Sequence, residues 1–173
     1  EILRRCTEIT GDWETLADHL IRHDRLALAE MFIPEFHSTD PIPAAIKEAR
    51  LCRLTKNHSR LVELLKKLEK NSKKIPPRLR DEYYYINYTY YENQSPGRAD
   101  EYYKLIREPL FRHLAGIKRS DRHIYDSRFS EAAPLLERAG AFLQAAGHTR
   151  EALEARSQTA KLLRAQKDFD GAL

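Results

Sequence analysis

Six of the chain's nine tyrosines fall within nine residues, in the run Asp81-Glu82-Tyr83-Tyr84-Tyr85-Ile86-Asn87-Tyr88-Thr89-Tyr90-Tyr91-Glu92. A phenol ring offers a large rigid contact area and one hydroxyl, a combination that anchors binding patches. On a helix, Tyr84, Tyr88 and Tyr91 share one stripe, with Tyr83, Asn87 and Tyr90 on the next. The set is wider than a single buried face, so part of it is expected at a groove or on the surface. Packing of the rings between neighbouring helices, with each hydroxyl bonded to a backbone carbonyl, is the other account. Just before them, Lys66, Lys67, Lys70, Lys73, Lys74, Arg78 and Arg80 place seven positive charges in fifteen residues against one acid, Glu69. Cations beside aromatic rings can steer an acidic partner. They can also hold single-stranded nucleic acid through phosphate contacts and stacked bases. Lys66, Lys67 and Lys70 equally suit the solvated side of an amphipathic helix. The candidate partner-binding residues are Tyr84, Asn87, Tyr88, Tyr91, Lys66, Lys70, Lys74 and Arg78.

Little else in the chain points to chemistry. His19 and His23 are one helical turn apart, a spacing that can bring two imidazoles to one metal, but a stable site needs a third ligand and usually a fourth. Only Asp18 and Asp24 lie close in sequence, so solvated histidines are expected and no metal. There is no phosphate-cradling glycine loop, no dinucleotide fingerprint, no His-Glu-x-x-His and no Gly-x-Ser-x-Gly elbow. No pair of titratable residues has motif support, so neither catalytic residues nor a cofactor is expected, and the chain reads as a binding protein rather than an enzyme.

The elements that must position these residues read as helices throughout. With 173 residues, 32% charged and 42% hydrophobic, the composition is that of a folded, soluble domain. Glycines number six, and Leu, Ala, Glu, Lys and Arg dominate, which favours helix. Net charge is +4, a weak pointer to polyanions. Cys6 and Cys52 are expected as reduced core residues, and no stretch suggests export or a membrane span, so a cytoplasmic protein without a membrane partner is expected. The chain starts at Glu1 and stops at Asp168-Phe169-Asp170-Gly171-Ala172-Leu173, which reads as a piece of a longer protein.

Helices are predicted over 1–9, 13–23 with Asp12 as its cap, 26–36, 44–56, 61–71, 79–93, 98–117, 130–146 with Ser130 as its cap, and 149–166. Pro109 should kink or end the seventh of these. Residues 118–129 are polar and badly periodic and read as a loop or irregular insert. Turns near Asp24, Asn57, Ser95 and Gly147 are about 33, 38 and 52 residues apart, and the first two intervals suit a helical-hairpin repeat.

Ala139, Gly140, Leu143, Gly147 and Ala152 form an Ala-Gly-x-x-Leu-x-x-x-Gly-x-x-x-x-Ala pattern that resembles the tetratricopeptide repeat. Weaker copies start at Asp24 and Gln94, and the segment Ala165–Leu173 resembles the start of a further repeat. Arg156 and Thr159 depart from the pattern, standing where an aromatic and an alanine are usual. The resemblance implies one all-α domain over 1–173, with antiparallel hairpins stacked as an α-solenoid in a right-handed superhelix whose groove binds a peptide or protein segment. The partner could be acidic, or another domain of the parent chain; nucleic acid is the alternative. Irregular arrays of this kind also resemble the sensor arms of large bacterial signalling ATPases and transcriptional regulators.

Overall fold

Asp12 opens the first helix of the computed structural model, which describes residues 12–170. Its carboxylate accepts the Thr15 backbone N–H at 3.1 Å, the N-cap bond expected from its place before Trp13. The helices are α1 (Trp13–Arg22), α2 (Leu26–Phe32), α3 (Pro41–Leu54), α4 (His58–Lys70), α5 (Arg80–Tyr91), α6 (Pro96–Leu105), α7 (Pro109–Tyr125), α8 (Phe129–Ala145) and α9 (Thr149–Asp170). Short 3-10 turns lie at Ile33–His37, Ser72–Lys74 and Pro77–Leu79. Among the described residues there is no strand. The helix expected over 1–9, its stop at Thr10-Gly11, and Cys6 lie outside them.

Three sequence expectations need correction. The stretch expected as an irregular insert over 118–129 is mostly helix, because α7 runs unbroken to Tyr125. Its inward positions are Ile117, Ser120, His123 and Ile124, so a buried serine and a buried histidine hide the period from a hydrophobicity reading. The long helix expected over 98–117 is two helices. α6 ends at Leu105 and α7 restarts at Pro109, which occupies a first-turn position where its missing N–H costs nothing. Phe129 rather than Ser130 begins α8, whose cap residue Arg128 makes no side-chain capping bond. In addition, the end of the chain expected to start a new repeat continues α9 as far as Asp170.

Four of the connections are the same turn. His23–Arg25, Thr55–Asn57, Asp126–Arg128 and Ala146–His148 each join two helices with three residues. In each the middle residue is left-handed: Asp24 at φ 58°, Lys56 at 59°, Ser127 at 57° and Gly147 at 75°. In each the third residue donates its N–H to the carbonyl five residues back: Arg25 to Leu20 at 2.8 Å, Asn57 to Cys52 at 2.8 Å, Arg128 to His123 at 2.7 Å and His148 to Leu143 at 2.8 Å. This is the Schellman arrangement, which satisfies carbonyls left over at a helix end. The accepting residue is buried every time, so each turn is tied to a core position.

Packing divides the chain into two compact units, one up to Ile86 and one from Asn87. In the first, Trp13, Ala17, Leu20 and Ile21 of α1 meet Ala29, Phe32 and Ile33, with Ala44 and Leu51 of α3. Trp13 stacks on Phe36 at 4.5 Å and donates to Asp40 at 2.9 Å. α4 lays Leu61, Leu64, Leu65 and Leu68 against α3, the stripe read from sequence. Four charges also tie α1, α3 and α5. Lys47 reaches Asp18 and Glu82, each at 2.7 Å, and Arg50 reaches the same two carboxylates at 3.1 and 3.2 Å. In the second unit α7, α8 and α9 pack on one another through Phe111, Leu114, Ile117 and Ile124, Leu136 and Leu143, and Leu162, with Ala132, Ala139, Ala152 and Ala155 between them.

Candidate binding pocket

The second unit carries a pocket of about 560 Å³ lined by Glu92, Asn93, Lys118, Asp121, Arg122, Ile124, Tyr125 and Lys161. Lys118, Asp121, Arg122 and Tyr125 follow the i, i+3, i+4, i+7 spacing that puts residues on one helix face. Glu92 and Asn93 come from the turn after α5, and Lys161 from α9. Three cations therefore stand with two carboxylates, and Tyr125 is 90% exposed.

Lys161 pairs with Asp121 at 2.5 Å, and Lys118 pairs with Glu154 of α9. Asp100 of α6 accepts from Arg119 at 2.7 Å and, more loosely, from Nη2 of Arg122 at 3.3 Å. The other terminal nitrogen of Arg122, Nη1, is buried with no hydrogen-bond partner among the described residues. Leaving such a donor unsatisfied costs about 1–3 kcal/mol. Glu92 accepts the Tyr88 hydroxyl at 2.5 Å. Burial pushes the Glu92 carboxyl above the usual range, and Asp121 pushes the same way, against the Tyr88 bond and the charges of Arg122 and Lys118.

Aromatic and guanidinium groups link α5, α6 and α7. Tyr103 of α6 lies against Tyr88 at 5.5 Å and carries Arg112 at 3.9 Å and Arg119 at 4.6 Å over its ring. Tyr91 stacks on Tyr102 at 5.9 Å and has Arg98 at 4.3 Å. Cation–π contacts of this kind are worth about 0.5–1 kcal/mol where exposed and more when desolvated. They hold α5, α6 and α7 in register, which fixes where Glu92 and Arg122 stand.

The residues expected to bind a partner are distributed differently. Tyr88 is fully buried and Asn87 is 3% exposed, so neither presents surface. Tyr88 instead fills the core and sends its hydroxyl to Glu92, a carboxylate four residues on in the turn after the helix, rather than to a backbone carbonyl. Tyr84 and Tyr91 are partly exposed. Lys66, Lys70, Lys74 and Arg78 are exposed, and Arg78 pairs with Glu14 of α1. Lys66, Lys70, Lys74 and Tyr84 belong to the first unit with Arg78, while Asn87, Tyr88 and Tyr91 belong to the second.

His19 and His23 stand 4.2 Å apart, ring to ring, with no third ligand beside them among the described residues. The Cys52 thiol is buried, which pushes it up to about 11. No helix of the described residues is long and apolar enough to cross a membrane. The pocket residues themselves were missed because 118–129 read as irregular. Their signal was the spacing of Lys118, Asp121, Arg122 and Tyr125. Comparison of the chain with known protein families, with curated proteins and with solved structures finds no match in any of the three.

Proposed function

We propose that this chain is a protein-interaction module of tetratricopeptide-like hairpins that docks a segment of a partner protein at the pocket of its second unit. The observation that carries this reading is Tyr125, an aromatic ring 90% exposed on the rim of a pocket with an excess of cations. A large amphipathic ring that gives up its water on docking supplies contact area at little entropic cost, and cations around it supply orientation. A regulatory role within a larger cytoplasmic protein fits the same reading.

The test is selection of a random peptide library on the whole chain, followed by titration of the enriched peptides against the Tyr125→Ser variant. The expected loss is tenfold or more in affinity, with helical content unchanged by circular dichroism. Enriched peptides that bind the variant as tightly as the parent would sink the reading.

A second reading has its own observation. Lys66, Lys67, Lys70, Lys73 and Lys74 are exposed, and none has a carboxylate partner among the described residues. An unneutralised lysine face suits a nucleic-acid backbone, whose binding weakens steeply with salt. Lys66→Glu, Lys70→Glu and Lys74→Glu together would then abolish retention of single-stranded DNA, whereas the docking reading leaves peptide affinity unchanged in that variant.

A further inference from the structure

Arg122 and Glu92 make an uneven pair for any ligand entering the pocket. Arg122 has one terminal nitrogen without an acceptor, and its guanidinium is held by a single bond of 3.3 Å to Asp100. A carboxylate that reached Nη1 would satisfy it and form a charge-assisted bond. Lys118 and Lys161 already have carboxylate partners, so Arg122 is the cation with capacity to spare. Glu92 meets the same ligand with a carboxyl that has one oxygen committed to the Tyr88 hydroxyl. The charged and titratable groups around Glu92 are Tyr88 on α5, Lys118, Asp121 and Arg122 on α7, and Lys161 on α9.

We propose, resting on the docking reading above, that the pocket takes a carboxylate side chain of an acidic partner segment, gripped by Arg122, and that Glu92 takes up a proton as it enters. Two carboxylates confined in one site share a proton rather than both staying ionised. The proton comes from solvent, no covalent bond changes, and the Tyr88 hydroxyl stays bonded to the same Glu92 oxygen. A phosphate group suits the site less, because it brings nearly two charges toward Glu92 and Asp121 and cannot be neutralised by one shared proton.

The bound form holds one proton more than the free form, so affinity rises as pH falls. The rise continues until the ligand's own carboxylates protonate, near about pH 4.3 for glutamate. The probe is a tetraglutamate peptide with both ends capped, titrated calorimetrically into the whole chain between pH 7.5 and 5.5 in two buffers of different protonation heat. Net proton uptake is expected, with affinity at least threefold higher at pH 5.5. Glu92→Gln keeps an oxygen for Tyr88 and should bind at pH 7.5 at least as tightly as the parent does at pH 5.5, without proton uptake. Arg122→Met should lose tetraglutamate binding in the same assay.

Tetraglutamate binding without proton uptake, or with the same pH dependence in Glu92→Gln, overturns the proton-sharing step while peptide docking stands. A tetraglutamine peptide or a phosphoserine peptide that binds better than tetraglutamate overturns the carboxylate assignment, again leaving docking in place. If none of the three peptides binds and library selection also fails, the docking reading falls and the inference falls with it.

Discussion

Lys47 and Glu82 are each only 2% exposed, and they form a network of two cations and two anions with Arg50, largely buried, and Asp18, whose side chain is 35% exposed. The charges cancel, and burial presses on all four. Burial pushes the Glu82 carboxyl up, but Lys47 and Arg50 outweigh it and hold the group below the ordinary carboxylate range. Burial, with the Glu82 charge beside it, leaves Asp18 raised. Removing one member strands the rest, at a cost of about 3–5 kcal/mol for a buried pair. Lys47→Met is therefore expected to destabilise the chain by about that much in urea unfolding. Adding Glu82→Gln should recover part of the loss, a coupling that a double-mutant cycle reads directly. His123 makes a separate prediction. Burial first, and then Arg128, keep its ring below the ordinary histidine value, against the opposing pull of Glu131. The folded chain thus binds fewer protons than the unfolded one once pH drops below about 6.5. Stability from this group is complete above that pH and is lost as pH falls through the folded value. His123→Leu should flatten the fall in unfolding free energy between pH 7.5 and 5.5; an unchanged slope would assign it to other groups.

At the scale of elements, two glycines in the same hairpin are expected to respond oppositely to one substitution. Gly147 sits at φ 75°, where a Cβ is strained, so Gly147→Ala should destabilise by about 1 kcal/mol. Gly140 lies inside α8, and a Cβ built there meets Ala155 at 3.8 Å, an ordinary contact. Gly140→Ala should gain about 1 kcal/mol of helix propensity, and thermal unfolding of the two variants separates the cases. Gly147 stands in the turn where the sequence placed one, and the backbone there requires it; at Gly140 nothing does. Why some elements were legible in the sequence follows from the same distinction. The Asp12 cap, the Leu61–Leu68 stripe and the turn at Gly147 are written in side chains that act locally. The turn at Ser127 was hidden because a polar residue, not a glycine, adopts the left-handed conformation. α7 was hidden because Ser120 and His123 occupy buried positions that normally read as apolar. The pocket was out of reach for a further reason: Glu92, Arg122 and Lys161 come together only through packing of elements far apart in the chain.

At the scale of the whole molecule, both units follow the hairpin logic, but each has a core of its own. The first relies on aromatic stacking around Trp13 and on the charge network; the second on small residues that let α7, α8 and α9 approach. Charge is also divided, with the unpaired lysine face in one unit and the pocket in the other. The sequence contains a single tryptophan, and the structure places it in the first unit, stacked parallel on Phe36 and hydrogen-bonded to Asp40. The chain therefore carries a built-in optical label for one half of itself. Its indole emission follows the melting of the first unit, while the far-ultraviolet helix signal follows both, so a single sample observed at two wavelengths reports whether the halves come apart together or in turn.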